Sequence, residues 1–316
     1  MGKLKKITAK LFGDKARQGG NGLYASLEEL MDMRRYASYM QVNSRRRTYS
    51  AQAGDIKSAF KGRGIEMEEI REYGFGDDVR DIDWRVTARK EKPYTKVYLE
   101  ERDYEIYVWL DLSPVMMFGS SVELKAVTAA KIAALLGWVS LNNKDRFGCV
   151  IFDGRQSWLF KPKHDRSYLA AVFKRIAATG EKALSQTENI DAERKKSLKL
   201  LQANLKGKAN TFLISSFGGW GDAFDAEIAS VAEKSRLFLV DVFDKLEEQA
   251  PVAGQYMAEY AGEKLIFDSA PKDYRREYAA YFEKKRVQRE QFCHRHGCRM
   301  IRFSPDMSFV GGLKIF

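Results

Sequence analysis

The stretch from Tyr104 to Ser121, YEIYVWLDLSPVMMFGSS, constrains the fold more than any other. Glu105 to Leu110 is a β-branched and aromatic run closed by Asp111, and Gly119 with two serines separates it from a helical pattern starting near Glu123. Strand, loop and helix in that order open a parallel sheet, whose ligand crevice lies at the carboxyl ends of the strands where strand order reverses. Asp111 and Ser113 are predicted to stand there.

The same alternation continues along the chain. Strands are expected over Arg146–Phe152, Asn210–Ser215, Leu237–Val242 and Cys298–Phe303, with a hairpin partner at Gln156–Phe160 and a second hairpin over Tyr256–Asp268. Helical spacing falls over Glu123–Leu141, His164–Ala178, Asp191–Leu205, Asp222–Ser235 and Pro271–His296. Strands separated by helices of this length predict one α/β domain over residues 105–316, a doubly wound, mostly parallel sheet with helices on both faces. Residues 44–104 read as a smaller β-rich module, and residues 1–43 as a basic N-terminal arm followed by a helix.

In the first segment, Lys3, Lys5, Lys6, Lys10, Lys15 and Arg17 surround only Leu4, Ile7 and Leu11, so a solvated terminus is expected, with weak membrane-surface contact as the functional alternative. Ser26 stands three residues before Glu29, a capping-box spacing that starts a helix over Leu23–Met40 expected to lie against the main body. The module has its densest chemistry in Gly62–Arg89. Gly62-Arg63-Gly64 lacks the third glycine and the helix of a dinucleotide site, and Asp77, Asp81 and Asp83 lack the turn glycine and distal glutamate of a calcium loop. The carboxylates Glu72, Asp77, Asp78, Asp81 and Asp83 interleave with Arg71, Arg80, Arg85 and Arg89, which predicts self-satisfying ion pairs anchored by Tyr73 and Trp84. The chemical alternative places Asp81 and Asp83 on one face of a strand as an acid and base pair or metal ligands.

Fifty-four basic against 43 acidic residues give a net charge of +11, compatible with nucleic acid, anionic lipid or an acidic protein partner. The three cysteines, Cys149, Cys293 and Cys298, are too few for a disulfide framework. Cys293, His294, His296 and Cys298 match no closed four-ligand zinc spacing. Three histidines, none beside an obvious nucleophile, argue against a hydrolytic triad, and no phosphate-cradling loop is found. No apolar run reaches the roughly 18 residues of a membrane span, so a cytoplasmic protein is expected.

Arg71-Glu72-Tyr73, Gly76-Asp77-Asp78, Arg80, Ile82-Asp83-Trp84 and Ala88-Arg89 resemble the signature of the bacterial domain-of-unknown-function family numbered 58. The resemblance continues through Asp111-Leu112-Ser113, Asp244-Lys245-Leu246-Glu247 and Gly262-Glu263. It implies a von Willebrand factor A-like fold and a link with MoxR-type AAA+ ATPases that assemble or activate other proteins. It also implies a metal-ion-dependent adhesion site, in which an Asp-x-Ser-x-Ser loop, a threonine and a further aspartate hold Mg²⁺. Asp111 and Ser113 match that loop, Val115 replaces its second serine, Ser216 stands where an aspartate is often found, and Thr187 is the candidate threonine. A degenerate site is therefore expected at Asp111 and Ser113.

The functional expectation is a non-enzymatic assembly protein that binds a MoxR-type ATPase through the loop Asp111, Ser113, Val115, Met116, Met117 and Phe118, without obligate nucleic acid and with Mg²⁺ as a lesser possibility. The alternatives are a metal-dependent hydrolase built on Asp111 with Asp81 or Asp83, and a basic nucleic-acid-binding protein.

Overall fold

A computed structural model of the 316-residue chain describes residues 22–38, 65–74, 79–100, 104–182, 190–206, 209–217, 220, 224–260 and 263–307. The basic arm, Gly62–Gly64, Gly76–Asp78 and Thr187 lie outside them. The chain divides into two units, residues 45–103 forming the smaller.

In the smaller unit, β1 (Ile65–Glu72) pairs antiparallel with β2 (Tyr94–Glu100). The strand that the chemical alternative placed through Asp81 and Asp83 is not formed: Asp81 ends a 3-10 turn over Val79–Asp81, and Asp83 is the N-cap of a helix, Trp84–Lys90. The reason is local, because the Asp83 carboxylate accepts the backbone N–H groups of Arg85 at 3.0 Å and Val86 at 3.1 Å, satisfying two donors that a helix start leaves open. Trp84, expected as an apolar anchor, is the first helical residue and is exposed within this unit.

The larger unit begins with α1 (Leu27–Asp32) and α2 (Arg34–Ala37), which replace the single helix expected over Leu23–Met40; counting Trp84–Lys90 as α3, the helices continue from α4. The Ser26/Glu29 capping box is formed, with Glu29 N–H on Ser26 Oγ at 3.1 Å and Ser26 N–H on Glu29 Oε2 at 2.9 Å. Leu30, Met33 and Ala37 are buried in the main core.

The central sheet consists of β3 (Glu105–Asp111), β4 (Arg146–Phe152), β5 (Ser157–Lys163), β6 (Ala209–Ser215), β7 (Ser235–Val242) and β10 (Arg299–Phe303), in the spatial order β10-β7-β6-β3-β4-β5. All neighbours are parallel except the edge strand β5, which returns antiparallel to β4 through a turn with Gly154 at φ 100°. Strands β8 (Gln255–Tyr260) and β9 (Glu263–Asp268) pair as a separate antiparallel two-stranded sheet.

Alternation along β3 sends Ile106, Val108 and Leu110 to one face and Tyr107 and Trp109 to the other, and all five are buried. The first face is covered by α4 (Lys125–Asn142) and α5 (Arg166–Lys182), with Trp138 Nε1 donating to the Leu30 carbonyl at 3.1 Å. The second is covered by α6 (Ile190–Asn204) and α7 (Asp225–Lys234), with the end of α8 (Lys272–Arg295) contributing Phe292 and Cys293. There Trp109 Nε1 donates to Ser197 Oγ at 2.7 Å. This is the doubly wound, mostly parallel sheet expected from the sequence, with its strand order reversing beside β3. Among the described residues no helix is long and apolar enough to cross a membrane.

Candidate functional site

Strand order reverses between β3 and β6, so their carboxyl ends, together with that of β7, bound the crevice. Asp111 closes β3 with no exposed surface. Its Oδ1 accepts the Ser113 N–H at 2.9 Å and its Oδ2 accepts the Ser215 hydroxyl at 2.7 Å, so both oxygens are engaged from within the chain. Arg194, arriving from α6 and also buried, places Nε 3.9 Å from Asp111 Oδ2 and donates through Nη1 to Asp191 at 2.7 Å. Its guanidinium lies 5.2 Å from the Trp220 ring centre and 5.4 Å from that of Phe224.

One residue beyond Ser215, the Ser216 hydroxyl accepts from Lys125 Nζ at 3.0 Å. Lys125 opens α4, is 1% exposed, and also donates to Glu247, which is 24% exposed. An ammonium this deeply buried needs a counter-charge, and Glu247 supplies it. Glu247 is itself fixed, because its other oxygen accepts the Asp244 N–H at 2.9 Å in a capping box around Lys245–Glu247. Asp244 in turn accepts the Ser120 N–H at 2.8 Å and the Ser120 hydroxyl, and Ser121 donates to Asp306. The loop after β3 is thereby tied down at both serines.

The expected interaction loop divides into two parts. Met116 is fully buried, its sulfur accepting the Ser216 N–H at 3.1 Å, so it belongs to the core and does not serve as an anchor. Ser113 is buried and its hydroxyl has no partner among the described residues. Val115 and Met117 are half-buried. Phe118 at 43% and Val122 at 50% exposure form the apolar rim, with Lys125 Nζ 5.7 Å from the Phe118 ring centre. Beside this rim opens a cavity of about 620 Å³ lined by Ser216, Asp241, Phe243, Glu247, Arg286 and Arg302 among others. On its floor Asp241 faces Arg302 Nε at 3.4 Å and Arg289 Nη2 at 3.5 Å, and Arg302 also pairs with Glu248 at 2.6 Å.

Among the described residues the crevice does not supply the oxygen set of an octahedral Mg²⁺, and the candidate Thr187 lies outside them. Such an ion needs near-ideal oxygen ligation, yet Val115 offers none, Ser215 and Ser113 N–H already engage Asp111, and the Ser216 oxygen faces an ammonium. Among the described residues no group of three or more His, Cys, Asp or Glu side chains is placed to hold a metal ion. Of the signature residues, Asp83 is committed to its helix cap, Glu72 faces Lys92 and the Tyr94 hydroxyl, each at 3.5 Å, and Arg71, Arg80 and Arg89 are exposed.

Lys125, Arg194, Asp241, Asp244 and Glu247 were not singled out for the crevice from sequence. One signal was available for Lys125: a charge at the head of the nearly all-apolar helix KAVTAAKIAALLGWVSLN must find a buried partner. Arg194 carries no comparable mark, since it joins Asp111 only through the fold.

The family described as "Protein of unknown function DUF58" matches residues 69–288. Uncharacterized proteins of Mycobacterium tuberculosis and Mycobacterium bovis are each 23% identical over 221 residues, 67% of this chain and 66% of theirs, so the match spans just under two thirds of those relatives. Among solved structures, the conserved hypothetical protein BatB from Bacteroides thetaiotaomicron is 16% identical with a TM-score of 0.40, covering 67% of this chain and 95% of that one. An aerotolerance-related membrane protein from Bacteroides fragilis is 12% identical with a TM-score of 0.41, covering 67% and 97%.

Proposed function

The chain belongs to the family of proteins of unknown function DUF58, and from that premise we propose that it is a cytoplasmic, non-catalytic docking protein. A protein partner is held at the Phe118–Val122 rim, and the metal-ion-dependent adhesion site is degenerate. The observation that carries this reading is the contrast between rim and floor. Below, Asp111 is held by Ser215, Asp241 by Arg302, Asp244 by Ser120 and Lys125 by Glu247, so that among the described residues these charges are already engaged. Above, two apolar side chains stand exposed on a loop fixed by Ser120 and Ser121, and a pre-ordered apolar rim binds without the entropic loss of ordering itself. Lys125, with Arg194, Arg289 and Arg302, supplies fixed positive charge to the crevice in place of a dissociable ion. On the family resemblance, the partner is a MoxR-type AAA+ ATPase.

The test measures binding of the purified chain to that ATPase, beside calorimetric titration of Mg²⁺ and Mn²⁺ into the chain alone. Phe118→Asp and Val122→Asp should each weaken partner binding by about tenfold or more, the range of an interface anchor, and the metal titrations should show no saturable heat. Binding unchanged by both substitutions would sink the docking surface, and a saturable metal isotherm would restore the adhesion site.

A further inference from the structure

Helix α8 ends in Cys293-His294-Arg295-His296-Gly297-Cys298, and its final turn has a defined closure. Gly297 takes φ 63°, the left-handed conformation that a residue without Cβ adopts freely, and nothing lies within 4 Å of where its side chain would stand. The Cys298 N–H donates to the Cys293 carbonyl at 3.0 Å, and the Gly297 N–H approaches the His294 carbonyl at 3.4 Å. Together these are the two bonds of a Schellman motif, with His296 as C-cap. That motif brings the side chain three residues before the cap against the one two residues after it, usually as an apolar contact. In this chain both are cysteines.

The 3.0 Å backbone bond, added to standard bond lengths, holds the two Cα atoms within roughly 7 Å, the separation beyond which a disulfide cannot close without moving the backbone. Both thiols are free and buried, at 5% and 9% exposure, under the edge of the sheet. Cys149, on β4, is buried in the opposite core cluster. The two thiols act on each other, and the pairing pushes Cys293 up while it draws Cys298 down. The zinc reading of this segment fails on ligand number, because no third ligand joins the pair among the described residues.

We propose that Cys293 and Cys298 form a reversible intramolecular disulfide, making the end of α8 a site of oxidative modification by hydroperoxides. The Cys298 thiolate attacks one peroxide oxygen, the O–O bond breaks, and the sulfur becomes a sulfenic acid while an alcohol or water leaves. The Cys293 sulfur then attacks Cys298 Sγ and the sulfenic oxygen leaves as water. Two thiols and one hydroperoxide thus give one disulfide, one alcohol or water, and one water. At 5% and 9% exposure, both sulfurs require the last helical turn to open before peroxide reaches them. The bond would fix the terminus of the helix whose middle, at Arg286 and Arg289, lines the crevice.

The experiment treats the full chain with hydrogen peroxide, then measures intact mass, denatured thiol count and the peptide map. The expected result is a loss of two hydrogens and a fall from three titratable thiols to one, a Cys293–Cys298 cross-linked peptide, and full reversal by dithiothreitol. Cys149→Ser should leave the cross-link intact. Cys298→Ser and Cys293→Ser should each abolish it, with either one sufficient if the other fails to fold. Three intact thiols after peroxide, a bridge to Cys149, or a bridge only between two copies of the chain would overturn the proposal.

Discussion

Replacing Glu247 by glutamine tests whether Lys125 is a fixed cation of the crevice. The substitution preserves length, but the one amide oxygen serves either the Asp244 N–H or the ammonium, so the negative charge and one acceptor leave together. Removing one partner of a buried ion pair costs about 3 to 5 kcal/mol, because the other charge stays buried and uncompensated. Here the glutamate is 24% exposed, which places the expected loss at the low end of that range, about 3 kcal/mol. Lys125→Met keeps the apolar stem, frees Glu247 to face water, and leaves the buried Ser216 hydroxyl without its donor, for a loss of about 1 to 2 kcal/mol. Once the ammonium is gone, Glu247→Gln has no charge to strand and should cost under about 0.5 kcal/mol, as at an ordinary surface position. The cycle should therefore return a coupling of about 2.5 kcal/mol or more. Urea midpoints and slopes of the four proteins give these quantities directly. An equal loss from Glu247→Gln with and without Lys125 would refute the assignment, since it would mean that the glutamate does not hold the ammonium.

Two further outcomes are expected. Asp83→Ala removes a helix cap and should lower stability by about 1 kcal/mol in a urea melt, whereas a loss above about 3 kcal/mol would indicate a stranded guanidinium instead. Lys245, with Ser121, holds the Asp306 carboxyl below the ordinary range; a depressed carboxylate adds stability above its unfolded value near pH ~3.9 and loses it as pH falls through the folded one. The stability gap between the native chain and Asp306→Asn should thus shrink to nothing in acid, and a gap that persists or widens below about pH 3 counts against the clamp.

What the sequence makes legible follows from what local pattern can encode. Ile106–Leu110 and Phe147–Phe152 are continuous apolar runs because both faces of a doubly wound sheet are covered, and that burial is written into each residue. The same holds for α4, apolar nearly all round. Asp83 misleads because an aspartate before Trp-Arg-Val reads equally as strand or cap, and the competing signal is two backbone bonds that only the folded turn reveals. Met116 misleads for a different reason. A methionine in a loop beside Met117 and Phe118 looks like surface, yet the 3-10 turn over Pro114–Met116 rotates it inward onto Ser216, which is distant in sequence. The crevice floor is the least legible part, since Asp111, Arg194, Ser215 and Asp241 come from different elements and meet only where strand order reverses.

The chemistry of that floor bears on how docking could be controlled. A metal site gives a partner's carboxylate an open coordination position and ties binding to ion concentration. A lysine on a helix does neither, because its ammonium is covalently tethered and already divided between Ser216 and Glu247. Arg302 is likewise committed, lying 4.0 Å from the Phe243 ring centre while paired with Asp241 and Glu248. On the docking reading, a partner arriving at Phe118 and Val122 meets charges whose arrangement does not depend on ion supply. Its affinity then rests on apolar burial and on the placement of the rim. Ser120 on Asp244 and Ser121 on Asp306 set that placement, so control has to act through these tethers or through α8, whose middle walls the cavity. Acid weakens the Asp306 tether, and oxidation at Cys293 and Cys298 would fix the far end of α8. Both perturbations leave Phe118 and Val122 unaltered, so a change in partner affinity under either one would mean that rim position, beyond rim composition, sets the strength of docking.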